Sequence, residues 1–213
     1  MSEFPKTERN QVRRVAKRGK YDRKTIYKIL DAGYLCHVGF AVDQQPFVIP
    51  TLYARIEDSI IVHGSSISRM LKNLEKGVRV CVTVTLVDGI VLARSAFHHS
   101  MNYRSVCVFG TGRLVEDQGE KIDALKAVSD NLLENRWEDS RPPNQKELNV
   151  TSVIKIDIEE ASAKIREGDP IDDASDYELP IWAGVLPIIT EFGEPQADSK
   201  LSSDIDLPEY LER

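Results

Sequence analysis

QPFVIPTLYARIEDSIIVHGSSISRM, residues 45–70, decides how the chain is read. Residues 46–55 form a β-type run interrupted by Pro50. Proline donates no hydrogen bond to a ladder, so this run belongs at a sheet edge or where pairing breaks. Residues 59–63 make a second strand, rich in β-branched side chains. His63-Gly64-Ser65-Ser66-Ile67-Ser68-Arg69 follows, with a glycine, three hydroxyls and one guanidinium. Met70, Leu71 and Leu74 then recur at helical spacing, and Gly77 is a stop signal.

A strand that ends in Gly/Ser and opens a helix with Ser-Arg can seat a phosphate, because orphan N–H groups and the helix dipole point at the anion. Arginine adds a bidentate, charge-assisted contact. The same residues also admit a plainer reading, in which Ser66 or Ser68 only caps the helix and Arg69 is solvated. No Gly-Lys-Ser/Thr Walker pattern is present.

The rest of the chain bounds what such a site can serve. At 213 residues the length fits one domain with tails. The net charge of −6 argues against a general nucleic-acid role. Charge is uneven: residues 1–20 carry seven Lys/Arg against two acids, and residues 191–213 carry seven acids against two bases. The expected organisation is a basic segment (1–20), a main domain (21–190) and an acidic tail (191–213). Cys36, Cys81 and Cys107 lie far apart in apolar runs, and read as buried thiols of a reducing compartment. Cytoplasm is the expected location. No Cys/His spacing suits zinc, no apolar run is long enough to span a bilayer, and no signal peptide is visible.

In chain order, Asp22 can cap a helix with Ile26, Ile29 and Leu30 inward and Gly33 as its stop. Residues 34–42 read as a buried strand. Residues 78–85 alternate like a strand with one wet face, and Asp88-Gly89 reads as a turn. Residues 90–96 are another strand, and 98–102 a polar loop. Residues 103–114 form a long strand in which Gly110 and Gly112 suggest a bend. Asp117 and Glu120 resemble a capping box for a helix carrying Ile122, Leu125, Leu132 and Leu133. Residues 150–158 are the last long strand. Beyond it the chain reads as acidic loop, except Ile181-Trp182-Ala183-Gly184. Many short strands and few helices predict a mainly β fold: a small closed barrel with peripheral helices.

QPFVIPTLY, IIVHGSSISRM and YRSVCVFGTGRLV together resemble the three motifs of the FMN-binding split β-barrel superfamily, whose namesakes are the pyridoxamine 5′-phosphate oxidases. VTLVDGIVLARSAFHHSMNYRSV, SAKIREGDP and WAGVLP extend the likeness toward the nitroimidazole-reductase branch, over residues 15–187. The resemblance implies an FMN-binding split β-barrel and a homodimer with flavin sites at its interface. It implies a flavin-dependent redox reaction on a small molecule, the alternative being a non-catalytic flavin or haem binder. On this likeness the strand bearing Ile49, Pro50, Thr51 and Leu52 lies along the flavin ring. His63, Gly64, Ser65, Ser68 and Arg69 take the phosphate. Arg104 and Ser105 match a family Arg-Gln pair. The namesakes' cations are missing here, replaced by Ile49, Ala54 and Met70.

Pro50 also supports this placement on its own terms, since a ladder broken there frees neighbouring peptide groups for a ligand. His63 can meet an anion charged or neutral. His98-His99 reads either as a cofactor-side pair or as a polar loop, and adjacent strand residues face opposite ways. Trp182 reads either as a packing anchor or as an aromatic closing the pocket. Arg13, Arg14, Lys17 and Arg18 have i, i+4 spacing, so a helix there can bring replacement cations to the site. The other reading is a frayed basic tail.

Overall fold

The computed structural model describes residues 2–212. Nine strands form one antiparallel sheet: β1 Gly19–Lys20, β2 Leu35–Val42, β3 Gln45–Ile56, β4 Ser59–Ser65, β5 Arg79–Leu92, β6 Ser100–Leu114, β7 Thr151–Asp157, β8 Glu160–Arg166 and β9 Gly184–Pro187. Their order is β1-β8-β6-β7-β4-β3-β2-β5-β9, and pairing of β5 with β6 closes the middle strands into a barrel. The helices are α1 Arg23–Asp31, α2 Arg69–Leu74, α3 Gln118–Leu132 and α4 Gln145–Val150. The fold is the mainly β split barrel with peripheral helices that the sequence implies.

Alternation builds the interior. Val38 and Phe40 of β2, Val80, Val82 and Val84 of β5, and Val106 and Val108 of β6 turn inward with Ile154 and Ile156 of β7. Helix α1 adds Ile26, Ile29 and Leu30 to this cluster. Its start is set by Asp22, whose carboxylate accepts from the Thr25 N–H at 2.8 Å. Ala32, not Gly33, is its C-cap. Gly33 matters for packing, since a Cβ there would lie 2.9 Å from Val84 Cγ1. On the opposite face of the sheet, Ala124 and Val128 of α3 cover Ala54, Ile61 and Val153.

Several local expectations give way to tertiary structure. Asp88-Gly89 is no hairpin turn: β5 runs through it as one strand, with a register shift between Val87 and Gly89. Strand β2 is buried on one face only, with Leu35 exposed. Cys81 and Cys107 are half-buried, near the Thr83 hydroxyl at 4.0 and 3.8 Å. Strands β8 and β9 occupy sequence that reads as loop. In β8 the inward residues are alanines, Ala161 and Ala163, whose alternation with polar residues is too faint to mark a strand. Residues 13–18 are not α-helical: Val15 is left-handed and Ala16–Arg18 is a short 3₁₀ turn. The N-terminal segment is nonetheless held. Phe4 is buried in the core, and β1 pairs with β8.

Gly110 is where β6 leaves β8, paired through Phe109, for β7, paired from Gly112. A Cβ at residue 110 would stand 2.1 Å from the Asp157 carbonyl oxygen, which is backbone and cannot swing aside. Gly110→Ala is therefore expected to lower stability by about 3 kcal/mol, the upper end for overpacking. Urea unfolding checks this, and a loss under about 1 kcal/mol would contradict it.

Candidate functional site

The barrel opens where β3 parts from β4. The two pair only over Tyr53↔Val62 to Ile56↔Ser59. From Gln45 to Leu52, β3 pairs with β2 alone, so its other edge is free. Pro50 sits in this half-paired stretch, as its missing N–H requires. Val48 is 64% exposed and Ile49 38% exposed, high values for aliphatic residues in mid-strand. Beyond the parting, His63, Gly64 and Ser65 of β4 pair with β7 only. The Arg69 guanidinium reaches back over the Phe47 ring, 5.2 Å from its centre. The structure thus brings Ile49, Pro50, Thr51 and Leu52 and the 63–69 segment to one opening.

The polar side of this opening differs from a simple helix terminus. Helix α2 is only six residues long, and its N-cap Ser68 makes no side-chain cap bond. The Ser66 N–H donates to Val150 O and the Ser68 N–H to Ser65 O, each at 2.9 Å. Those amides are spent. Among the described residues the Ser65, Ser66 and Ser68 hydroxyls have no protein hydrogen-bond partner, and Arg69 has no carboxylate partner. An anion here would meet three hydroxyls and one guanidinium. The positions where the namesakes keep cations explain their loss in part: Ala54 packs under α3, and Met70 lies in the main core. Burial pushes the His63 imidazole below its ordinary pKa, and its Nδ1 is buried without a partner. It therefore meets the opening neutral.

A second opening lies at the end of β2. Strand β5 pairs with β2 over Cys81–Thr83 and with β9 over Gly89–Leu92, which leaves residues 84–87 outside both ladders on that edge. A cleft of about 850 Å³ occupies the gap, lined among others by Leu35, His37, Leu86, Arg104, Asn131 and Phe192. Asn131 Nδ2 fixes its floor by donating to the carbonyls of Gly33 (3.0 Å) and Tyr53 (2.9 Å). Arg104 grips Asp88 through Nε (3.0 Å) and Nη2 (2.6 Å). The tail covers one side, with the Ile188 N–H on Asp88 O at 3.1 Å and the Phe192 ring 6.5 Å from Tyr34.

The remaining sequence candidates scatter. Arg104 faces this second cleft, while the Ser105 hydroxyl turns to Lys164 O at 3.4 Å. Trp182 is 69% exposed, beside Gly184. His98 Nε2 lies 3.5 Å from Asp173, and His99 Nδ1 accepts the Ala93 N–H at 3.0 Å, so the pair splits between two partners. Of the basic N-terminal residues, Arg13 pairs with Glu8 on the surface. Arg9 instead binds Glu160 at 2.6 Å and lines a groove of about 470 Å³ with Arg79, Phe47 and Cys81. Sequence reasoning missed His37 and Asn131. The signals were a histidine on an alternating strand and an apolar LPIITEF run inside an acidic tail.

Comparison with known proteins sets this geometry in a family context. The family model described as pyridoxamine 5′-phosphate oxidase matches residues 22–165. The flavocytochrome Anf3 from Azotobacter vinelandii is 40% identical, over 96% of this chain and 95% of that one, with a TM-score of 0.90. An FAD and heme binding protein from Mycobacterium smegmatis is 32% identical, over 91% and 95%, with a TM-score of 0.87. A protein described as a candidate 5-nitroimidazole antibiotic resistance protein from Bacteroides thetaiotaomicron shares the fold at 21% identity, over 69% and 86%, with a TM-score of 0.57. No curated protein matches the chain.

His63 yields a prediction that needs no ligand. Its folded pKa is below the unfolded value of 6.5, so the unfolded chain takes the proton more readily. Its neutral form is accommodated fully above that pH, and stability is lost as pH falls below it. His63→Gln should flatten the decline in urea midpoint between about pH 7 and pH 5. An unchanged slope would contradict the burial of the imidazole.

Proposed function

Because the chain belongs to the pyridoxamine 5′-phosphate oxidase family, we propose that it is a flavin-binding redox protein with haem as a second cofactor. The observation that carries the flavin half is the opening between β3 and β4. It joins a free strand edge, exposed aliphatic side chains, three unbonded hydroxyls and one arginine without a carboxylate. A flavin needs those same three surfaces: hydrogen-bonding backbone for the pyrimidine edge, an apolar shelf for the ring and donors for phosphate. Bound flavin supplies hydride or single-electron transfer. The protein's part is to bind and orient. The 49–52 edge holds the ring, Ser65, Ser68 and Arg69 hold phosphate oxygens, and neutral His63 adds no charge. None of the residues named around the opening is a carboxylate, so proton transfer by a protein acid is no part of this reading.

The flavin is read as FMN, because the opening has one compact anion seat and the chain has no Rossmann glycine pattern. FAD is the second reading, favoured by the M. smegmatis relative and by Arg9 and Arg79 in the groove that Phe47 also lines. The haem half is supported by the two relatives that match more than nine-tenths of this chain, a flavocytochrome and an FAD and heme binding protein. On this reading the protein transfers electrons to a small molecule. A carrier or sensor role differs only in lacking turnover. A homodimer that shares its flavin sites fits the exposed face of β2 and β3.

Mass spectrometry of ligands released from native protein tests the reading, with flavin expected and its absence contrary. FMN and FAD titrations of the apoprotein separate the two flavins. Tighter FMN binding is expected, and equal or tighter FAD binding would favour the second reading. Arg69→Ala should weaken flavin binding by roughly ten- to a hundredfold, the loss of a charge-assisted bidentate contact worth about 1.5–3 kcal/mol, while the fold persists. Unchanged affinity would place Arg69 outside the site.

A further inference from the structure

Resting on the flavin–haem reading, we propose that the cleft between β2 and β9 is the haem site and that His37 supplies its axial ligand. The cleft is built for a large, mostly apolar guest. Its volume of about 850 Å³ lies within the range of small-molecule sites. Leu35, Leu86, Ile188, Ile189 and Phe192 give it aliphatic and aromatic walls. The unpaired edge of β5 at residues 84–87 exists because β2 and β9 share that edge end to end and do not meet.

A haem in such a cleft needs an axial ligand for iron, for which a histidine nitrogen is one source, and donors for its carboxylates. Elimination among the four histidines leaves one source for the first. His63 is not among the residues that line the cleft, and its Nδ1 is buried. His98 is engaged by Asp173. His99 uses Nδ1 to accept the Ala93 N–H, so its neutral form carries the proton on Nε2 and offers no lone pair there. His37 is exposed, stands on β2 opposite Thr83, lines the cleft and, among the described residues, has no hydrogen-bond partner. For the carboxylates, Asp88 occupies Nε and Nη2 of Arg104 and leaves Nη1 free on the cleft wall.

The assignment also explains the tail. Residues 188–192 form the cleft's outer wall although they lie beyond the segment that the family model matches. A cleft without them would be an open notch in the sheet edge.

The test uses full-length protein expressed with haem precursor, read by absorption, by EPR and by haem and flavin content. Wild type is expected to show flavin bands and a Soret band. His37→Ala should lower haem content roughly tenfold or more, since losing a ligand costs at least as much as losing its outer-shell partner. Flavin content should not change, and added imidazole should restore the Soret band. His98→Ala and His99→Ala should keep haem. If wild type binds haem and His37→Ala keeps the same Soret and EPR spectra, the ligand assignment fails while the flavin–haem reading stands. If only His98→Ala or His99→Ala loses haem, the iron sits elsewhere. A wild type that binds flavin and shows no Soret band overturns the haem reading, and this assignment with it.

Discussion

The structure turns on a strand that is paired along one edge only. Strand β3 runs beside β2 over Gln45–Leu52 and beside β4 only over its last residues, Tyr53–Ile56. An unpaired edge inside a barrel is costly unless something satisfies its peptide groups, because buried N–H and C=O groups require partners. Water can do this while the opening is wet, and a ligand edge can do it when water is expelled. The proline at residue 50 removes one donor from the stretch. The exposed Val48, Ile49 and Leu52 mark it as a surface waiting to be covered. The closed part of the barrel, with α1 and α3 packed on it, is the rigid frame that keeps β3 and β4 apart.

The same device appears twice. On β5 the gap between β2 and β9 leaves another unpaired edge, and a cleft of about 850 Å³ forms there. The two gaps differ in polar furniture. The first has hydroxyls and a single arginine, a modest seat for a dianion. A carboxylate partner for Arg69 would cancel the attraction, and none is present among the described residues. The second has a free imidazole and an arginine already half-satisfied by Asp88. On the proposed reading, different guests are sorted by chemistry and not by size alone.

Much of this was legible in the chain. The strand-like runs at 34–42, 78–85 and 103–114 gave the barrel, Pro50 gave the broken edge, and the 63–69 cluster gave the polar side of the first opening. What was not legible depended on distance in sequence. Whether Asp88-Gly89 is a turn or a bulge is settled by β6 and β9 on either side, not by the dipeptide. Strand β8 was hidden because alanines suffice where β6 runs close. The Ser66 and Ser68 amides looked free until Val150 and Ser65 accepted from them. Arg104 carried no local sign that Asp88, sixteen residues away, would hold it at the second cleft.

Amide hydrogen exchange with and without bound flavin tests the central claim most directly, because it reads the free edge itself. Flavin is predicted to slow exchange in residues 45–52 and 63–69 together, and to leave the β5–β6 ladder unchanged. Protection that spares residues 45–52 would contradict the account, for then the unpaired edge of β3 is not where the cofactor lies.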